Sequence, residues 1–512
     1  MGFSMRARTG APVVTVVTVV TVVRIVTVVT ALALGGCAFA PPGPEAAAAL
    51  IRQSEAAMGS AQLKTLVVTG RGSGASLGQA WQPDGAWPAL RYNALSRAMN
   101  FETGAFREEF NRSRSEPNGG GIVPPMGQGD ARGVVLAQDG YAWDLRGIET
   151  PPAPVAWRAR MHDLWTGTPQ GAIKAAARQA AKAGTRRDGL RSYPTLSFTT
   201  AGQFSATLVL DDAGLVTRIE STLPNAVLGD MAVVTEFSDY RERAGLQFPG
   251  RIRQSQGGFP VLDLTVTEVQ VNVAMEVTVP DSVRLAPETV AVEKVAEGVW
   301  FFSGGTHNSV AIEIASQIVL VESPLYDGRA AAVFEAANQL VPGKKVQTVI
   351  NTHHHFDHAG GVRAAVAEGA TVITSEQARP FLERALANPN ELAHDRMALA
   401  GRKPVIIGAG PKTVLKDALR TIEIHELQGS IHAQGLLVVW LPQEKLLIEA
   451  DAFTPAPPGA PGSPDAAPPA LPNPHHLNLV ANMDRLGLAA ERILPLHGRV
   501  VPVAALYAQV GR

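Results

Sequence analysis

The sequence predicts an α/β C-terminal half preceded by a β-rich N-terminal half, on three observations. At 512 residues the chain exceeds one ordinary core, so two or more domains are expected. From Leu63 to about Ala286, short apolar runs alternate with turn residues, the rhythm of strands. After a junction at Pro287 to Glu297, strand-like runs alternate with helical ones.

Composition sets outer limits. With 46% hydrophobic and 18% charged residues the chain reads as globular. Lys plus Arg total 45 against 46 for Asp plus Glu, so no charge excess draws nucleic acid as a partner. Cys37 is the sole cysteine, which excludes internal disulfides and a Cys-rich metal cage. Any metal must then be held by His and carboxylate, a ligand set suited to zinc, iron or manganese.

At the N-terminus, Arg6 and Arg8 precede an apolar run from Val13 to Leu34 that is interrupted by threonines and by Arg24. An Arg at the centre of a membrane helix costs roughly 2.5–3.5 kcal/mol, which argues against one continuous span. Placing Arg24 in the positive flank leaves Ile25 to Leu34, the length of a signal-peptide core. The stretch ends in Leu34-Gly35-Gly36-Cys37, which resembles the lipobox of bacterial lipoproteins. That resemblance implies residues 1–37 as a signal, a lipidated Cys37 as membrane anchor and an exported protein. Ala38 after the cysteine implies the outer membrane or its periplasmic side. A plain secretory signal and an uncleaved anchor are the simpler readings of the same run.

Residues 38–62 read as a Pro- and Ala-rich tether, Phe39 to Ala46, and a helix over Ala47 to Gly59. Strands are expected at Leu66–Thr69, Gly133–Leu136, Ser205–Leu210, Val233–Phe237 and Leu262–Val271, with a turn at Asp211–Gly214 and a helix around Gly171 to Gly184. In its strand rhythm this β-rich domain, 63–290, resembles the curved half-barrels of bacterial lipoprotein carriers. The likeness implies a concave apolar face for a hydrophobic ligand; a scaffold or a dimerisation domain is the plainer alternative.

In the C-terminal half, strands are expected at Val299–Phe302, Val310–Ile314, Ile318–Val321 and Val346–Ile350, with a helix over Arg329 to Leu340. The fourth strand leads into Asn351-Thr352-His353-His354-His355-Phe356-Asp357-His358-Ala359-Gly360-Gly361. In extended backbone alternate side chains share a face, so His353, His355 and Asp357 are expected on one side. His358 follows where the chain turns and aims elsewhere, and Gly360 and Gly361 permit close packing or positive φ. His354 has the wrong parity for a ligand. The Pro-rich stretch Pro455 to Pro474 reads as a surface loop and possible lid.

This His-x-His-x-Asp-His run resembles the signature of the metallo-β-lactamase superfamily, and the rest of that pattern is met downstream. His432 lies ahead of the apolar run Leu436–Leu441, Asp451 follows Lys445–Ile448, and His497 follows Ile493–Leu496. The resemblance covers roughly Glu297 to Val500, sets the domain at 297–512 and implies a four-layer αβ/βα sandwich. It also implies two divalent metal ions, with His353, His355 and His432 on the first, Asp357, His358 and His497 on the second, and Asp451 bridging. The implied chemistry is attack by an ionised, metal-held water on an ester, thioester, lactone or amide carbonyl of a small-molecule substrate, with Asp357 orienting the nucleophile. Zinc suits such N and O ligands.

Taken singly, these residues have blander readings: Asp357 as a helix N-cap, and His425 or His497 as surface or core histidines. His307, His475 and His476 find no place in the pattern, the last two reading as loop residues near the site. The chain departs from glyoxalase II relatives in Ile431-His432-Ala433-Gln434, where those place His-Thr-Pro-Gly, and carries Glu322 where relatives often have aspartate. Three readings stand: an envelope metallo-hydrolase, an iron-dependent oxidoreductase-like relative, and a lipid-binding lipoprotein with an idle metal domain.

Overall fold

The apolar runs between Leu63 and Ala286 become one antiparallel sheet of thirteen strands in the computed structural model. The structure describes residues 43–116, 119–121, 130–145, 153–154, 156–455 and 472–512. The signal, the lipobox with Cys37, half of the tether and most of the Pro-rich loop lie outside these residues.

Neighbours in sequence pair along most of this sheet. The exception is the centre, where Thr65–Ala75 pairs with Phe259–Val271, so the two ends of the segment meet there. Gly229–Ser238 shows why such runs are strands. Met231, Val233, Thr235 and Phe237 are buried, while Asp230, Val234 and Glu236 between them are half-buried on the other face. The buried face packs on the helices Pro44–Met58, Trp157–Thr166 and Pro169–Arg178 through Met58, Leu164, Ile173, Leu208 and Ile219. Thr168 caps the third helix by accepting from the Gly171 backbone N–H. That helix is shorter than expected. Ala180 takes a φ of +47°, and Lys182–Asp188 becomes the edge strand instead of the helix's last turns.

The expected junction at Pro287 to Glu297 is not a plain linker. Ala291–Ala296 is the first strand of a seven-stranded sheet, followed in spatial order by Val299–Ser303, Ser309–Glu313, Ile318–Val321, Val346–Ile350, Thr371–Ser375 and Ile406–Ala409. A second sheet of six strands runs Lys412–Lys416, Thr421–Glu426, Leu437–Leu441, Leu446–Glu449, Arg492–Pro495 and Val501–Pro502.

Phe301, Val310 and Ile312 of the first sheet meet Ile424, Val439 and Ile448 of the second in one apolar cluster. Helices Asp327–Ala337 and Val362–Glu368 pack on the first sheet through Phe334 and Ala365. Helices Pro474–Leu486 and Ala504–Gln509 pack on the second through Leu479 and Leu506. Strands covered on both faces are apolar throughout, as Ile318–Val321 and Leu437–Leu441 are. Pro41–Arg512 is a single compact unit, and Asp230 N–H donating to Pro389 O is one of its ties between the thirteen-stranded sheet and the two-sheet region.

Candidate metal centre

Strand Val346–Ile350 ends just before the histidines, Asn351 to His355 continues without helix, and Phe356–Ala359 is one helical turn. Two-residue alternation therefore holds for His353 and His355 and fails at Asp357. The expectation that Asp357 shares their face is corrected: the turn carries Asp357 and His358 into a second group. Gly360 keeps a helical φ of −64°, so its role is close packing and not positive φ. A Cβ there would lie 2.0 Å from the Leu325 carbonyl oxygen.

The other candidates arrive from the second sheet. His432 sits in the turn after Thr421–Glu426, Asp451 just beyond Leu446–Glu449, and His497 just beyond Arg492–Pro495. Glu449 shapes the turn that presents Asp451, its Oε2 accepting from the backbone N–H groups of Ala452 and Phe453. Asp451 itself adopts a φ of +59°, a left-handed conformation uncommon outside glycine.

The structure brings every one of these residues together. His353, His355 and His432 form one group, Asp357, His358 and His497 another, and Asp451 joins His353 and His358 in a third, with ligand atoms within 4.8 Å of one another in each. His353 Nε2 and His432 Nε2 are 3.2 Å apart, and His358 Nε2 and His497 Nε2 are 3.1 Å apart. Asp451 Oδ2 lies 2.7 Å from His358 Nε2 and 3.6 Å from both His353 Nε2 and His432 Nε2, while Oδ1 lies 3.4 Å from His497 Nε2. One carboxylate thus spans both groups.

The outer nitrogens are held as firmly. His353 Nδ1 faces Thr352 Oγ1 at 3.1 Å, His355 Nε2 donates to the Ala80 carbonyl at 2.8 Å, and His497 Nδ1 faces the Thr306 carbonyl at 3.1 Å. His358 Nδ1 lies 3.4 Å from Glu322 Oε2, and the other oxygen of that buried carboxylate accepts from Thr352 N–H at 2.6 Å. Such partners fix each ring's orientation and tautomer and turn its remaining nitrogen inward.

Electrostatics divides the groups. Burial, helped by neighbouring histidines, holds His353 and His432 well below the usual histidine range, so both are neutral. Burial also opposes charge on His358, but Asp451 and Asp357 outweigh it and hold that imidazole protonated well above the usual range. Asp357 and Asp451 are kept far below the carboxylate range, the histidines overcoming the cost of burial.

Two residues at the centre had no place in the sequence reading. His307 joins Asp357, His358 and His497, its Nε2 lying 3.1 Å from Asp357 Oδ2 and its ring 4.2 Å from that of His497. Burial lowers its pKa to about 4. Asn308 fixes it there by donating to the carbonyls of Pro495 and Gly498 beside His497. Gln79 donates to Asp357 Oδ1 at 2.8 Å from a loop of the thirteen-stranded sheet. The N-cap position of the turn Phe356–Ala359 is His355, so Asp357 is not its cap.

His354 turns its Nε2 to the Ala80 carbonyl and stands in neither group. His475 and His476 are not loop residues. They open the helix Pro474–Leu486, with His475 5.8 Å ring to ring from His432 and His476 packed on Phe453.

The donor set fits divalent ions. His355 Nδ1 is buried without a hydrogen-bond partner, as a metal ligand would be. The inward nitrogen pairs at 3.1 and 3.2 Å stand close to the roughly 3.4 Å expected between neighbouring nitrogens on one tetrahedral zinc with bonds of about 2.05 Å. Residues 303–497, which hold every one of these ligand candidates, match the Metallo-beta-lactamase superfamily. This stretch is a metallo-β-lactamase superfamily domain.

Proteins with such domains are mostly metal-dependent hydrolases. Over 163 residues the chain is 23% identical to 2,4-dinitroanisole O-demethylase subunit alpha of Nocardioides sp. (strain JS1661), a match covering 32% of this chain and 46% of that protein. The matched stretch thus spans about half of that relative's length. Among solved structures, the metallo-β-lactamase of Hirschia baltica is similar at 20% identity, covering 43% of this chain and 96% of its own, with a TM-score of 0.33. That of Pontibacter korlensis is similar at 20% identity, covering 44% and 98%, with a TM-score of 0.33.

Proposed function

We propose that this protein is a binuclear metal-dependent hydrolase that cleaves an ester, thioester, lactone or amide of a small molecule. The single observation behind this reading is Asp451, whose two oxygens reach both histidine groups at once. In this reading His353, His355 and His432 hold one ion, Asp357, His358 and His497 the other, and Asp451 both, on a four-layer αβ/βα sandwich. Zinc is the ion these N and O donors suit best, with iron or manganese as alternatives. When bound, the ions supply Lewis acidity and a water ionised near neutral pH.

The chain's own residues do the rest. Thr306 Oγ1 donates to His307 Nδ1, so the neutral His307 carries its proton on Nε2 and donates to Asp357 Oδ2. Gln79 holds the other oxygen, and Asp357 stays an ionised carboxylate in one orientation. His355, His353 and His497, each fixed from behind, keep their lone pairs aimed inward without rearrangement as substrate arrives.

The same proposal takes the chain as exported and anchored through lipidated Cys37 on the outer-membrane or periplasmic side, with residues 63–290 as a distinct β-rich domain and no nucleic-acid partner. The O-demethylase relative favours a second reading in which the bond cleaved is an aryl methyl ether. A panel of chromogenic ester, thioester, lactone, amide and aryl-ether substrates, run with zinc-loaded full-length protein and with Asp357→Ala, tests both. Turnover of an acyl substrate that vanishes in the variant supports the hydrolase, turnover of the ether alone supports the second reading, and no turnover of any substrate rejects both.

A further inference from the structure

The loop between strands Thr65–Ala75 and Ala89–Asn100 belongs by sequence to the β-rich half, yet it touches two of the ligand-bearing segments of the metal centre, those of His355–Asp357 and of His432. Gly78 O accepts from Phe356 N–H, Ala80 O accepts from His355 Nε2, and Gln79 Nε2 donates to Asp357 Oδ1. On the other side, Trp81 Nε1 donates to Ser430 O and Trp81 O accepts from Gln434 N–H, bracketing His432. Gly120, from a second loop of the same sheet, donates its N–H to Ile431 O.

The approach is close enough to need glycine. Gly78 has a φ of +72°, and a Cβ there would lie 2.2 Å from Phe356 Cγ. A Cβ on Gly121 would lie 3.1 Å from His355 Cε1.

Gln79 is the one side chain of this loop shown bonded directly to a candidate ligand. Asp357 has two oxygens, and His307 Nε2 meets Oδ2 on the side of His358 and His497. The amide of Gln79 is bonded to Oδ1, while Oδ2 is the oxygen that faces His307 and His358, so it is Oδ2 that the carboxylate presents to the second group. We propose that Gln79 is a positioning residue for the second metal ion, holding Asp357 as a one-oxygen ligand, and that the metal centre is a composite of both halves of the chain. This rests on the two-metal reading above.

The donor character of Gln79 sets the test. Gln79→Met keeps the length and removes the donor; Gln79→Glu keeps the shape and sets a second carboxylate against Asp357. Gln79 is only half-buried, so neither change threatens the fold. Zinc affinities of the full-length chain are measured by competition with a chromophoric chelator. The expected result is a second ion weakened roughly 10–100-fold in Gln79→Met, the usual cost of losing an outer partner of a metal ligand. In Gln79→Glu the loss is larger still, and the first ion is unchanged within about twofold in both variants.

A space-filling role predicts the reverse order, because glutamate matches glutamine in shape better than methionine does. That order, or second-ion affinities equal to wild type in both variants, overturns the proposal while the two-metal reading stands. A wild-type chain that binds fewer than two zinc ions overturns the two-metal reading itself, and this proposal with it.

Discussion

The two halves of the metal centre are built on different principles. The His353, His355 and His432 half is all nitrogen and lies under the surface: the side chains of His353 and His432 are 0% and 9% exposed. The Asp357, His358 and His497 half mixes charge with openness. Asp357 is 32% exposed and His497 19%, while His358 between them is buried and held protonated by the aspartates. A site of neutral, buried, pre-aimed imidazoles is ready for an ion. On the two-ion reading, a site that must first give up a proton and stands open to water is expected to bind its ion less tightly and to exchange it more freely.

The sharpest way to break this contrast is to remove what the halves share. Asp451→Ala is expected to lower zinc from about two ions per chain to fewer than one and to cut turnover about a thousandfold, a barrier increase of about 4 kcal/mol. Elemental analysis and initial rates check it. If one ion stays fully bound, the halves are more independent than the bridge implies.

His497→Ala strikes one side alone. It should leave about one zinc per chain, retained through gel filtration in mild chelator by His353, His355 and His432. Loss of both ions would show the open half supporting the buried one.

Glu322 is buried at 0% exposure with a φ of +68°, and its Oε2 lies 3.4 Å from His358 Nδ1. Glu322→Gln keeps the shape and removes the charge behind His358. Second-ion affinity should fall roughly 10–100-fold, read by isothermal titration, with the first ion unmoved.

Acidity separates the halves without a mutation. His358 is protonated in the metal-free protein, so binding to the second half releases a proton and strengthens as pH rises, by up to about tenfold per unit while that proton is still held. His353 and His432 are already neutral, so the first half should show almost no slope between about pH 6 and 8. Equal slopes in zinc titrations across that range would contradict the contrast. The smallest effect is expected from His307→Phe, which removes one of two donors to Asp357 and should slow turnover by no more than about tenfold.

How far the sequence carries to the centre follows from how each residue is held. The run from His353 to His358 is legible because strand alternation, then one helical turn, sorts its side chains by number alone. Even there the turn at Phe356 moves Asp357 to the other group, since alternation ends where extended backbone ends. His432, Asp451 and His497 are legible because each follows or precedes an apolar run that reads as a strand.

His307 has no such marker. It stands alone between Thr306 and Asn308 and reaches the centre only because Asn308 ties it to the loop around His497, 190 residues away at Gly498. Gln79 is farther still, 278 residues from the aspartate it holds. Nothing local distinguishes a half-buried glutamine in a turn, and contacts that long are set by how two sheets pack, not by any periodicity. The strand Ala291–Ala296 escapes for a related reason: four of its six residues are exposed at the sheet edge, so its apolar pattern is faint.

The most direct test of a divided two-ion centre is anomalous diffraction at the zinc edge from crystals of the zinc-loaded protein. Two peaks are expected: a full one within ligand distance of His353, His355 and His432, and a weaker one beside Asp357, His358 and His497, with Asp451 between them. A single peak shared by all of these residues, or density at neither group, would contradict it.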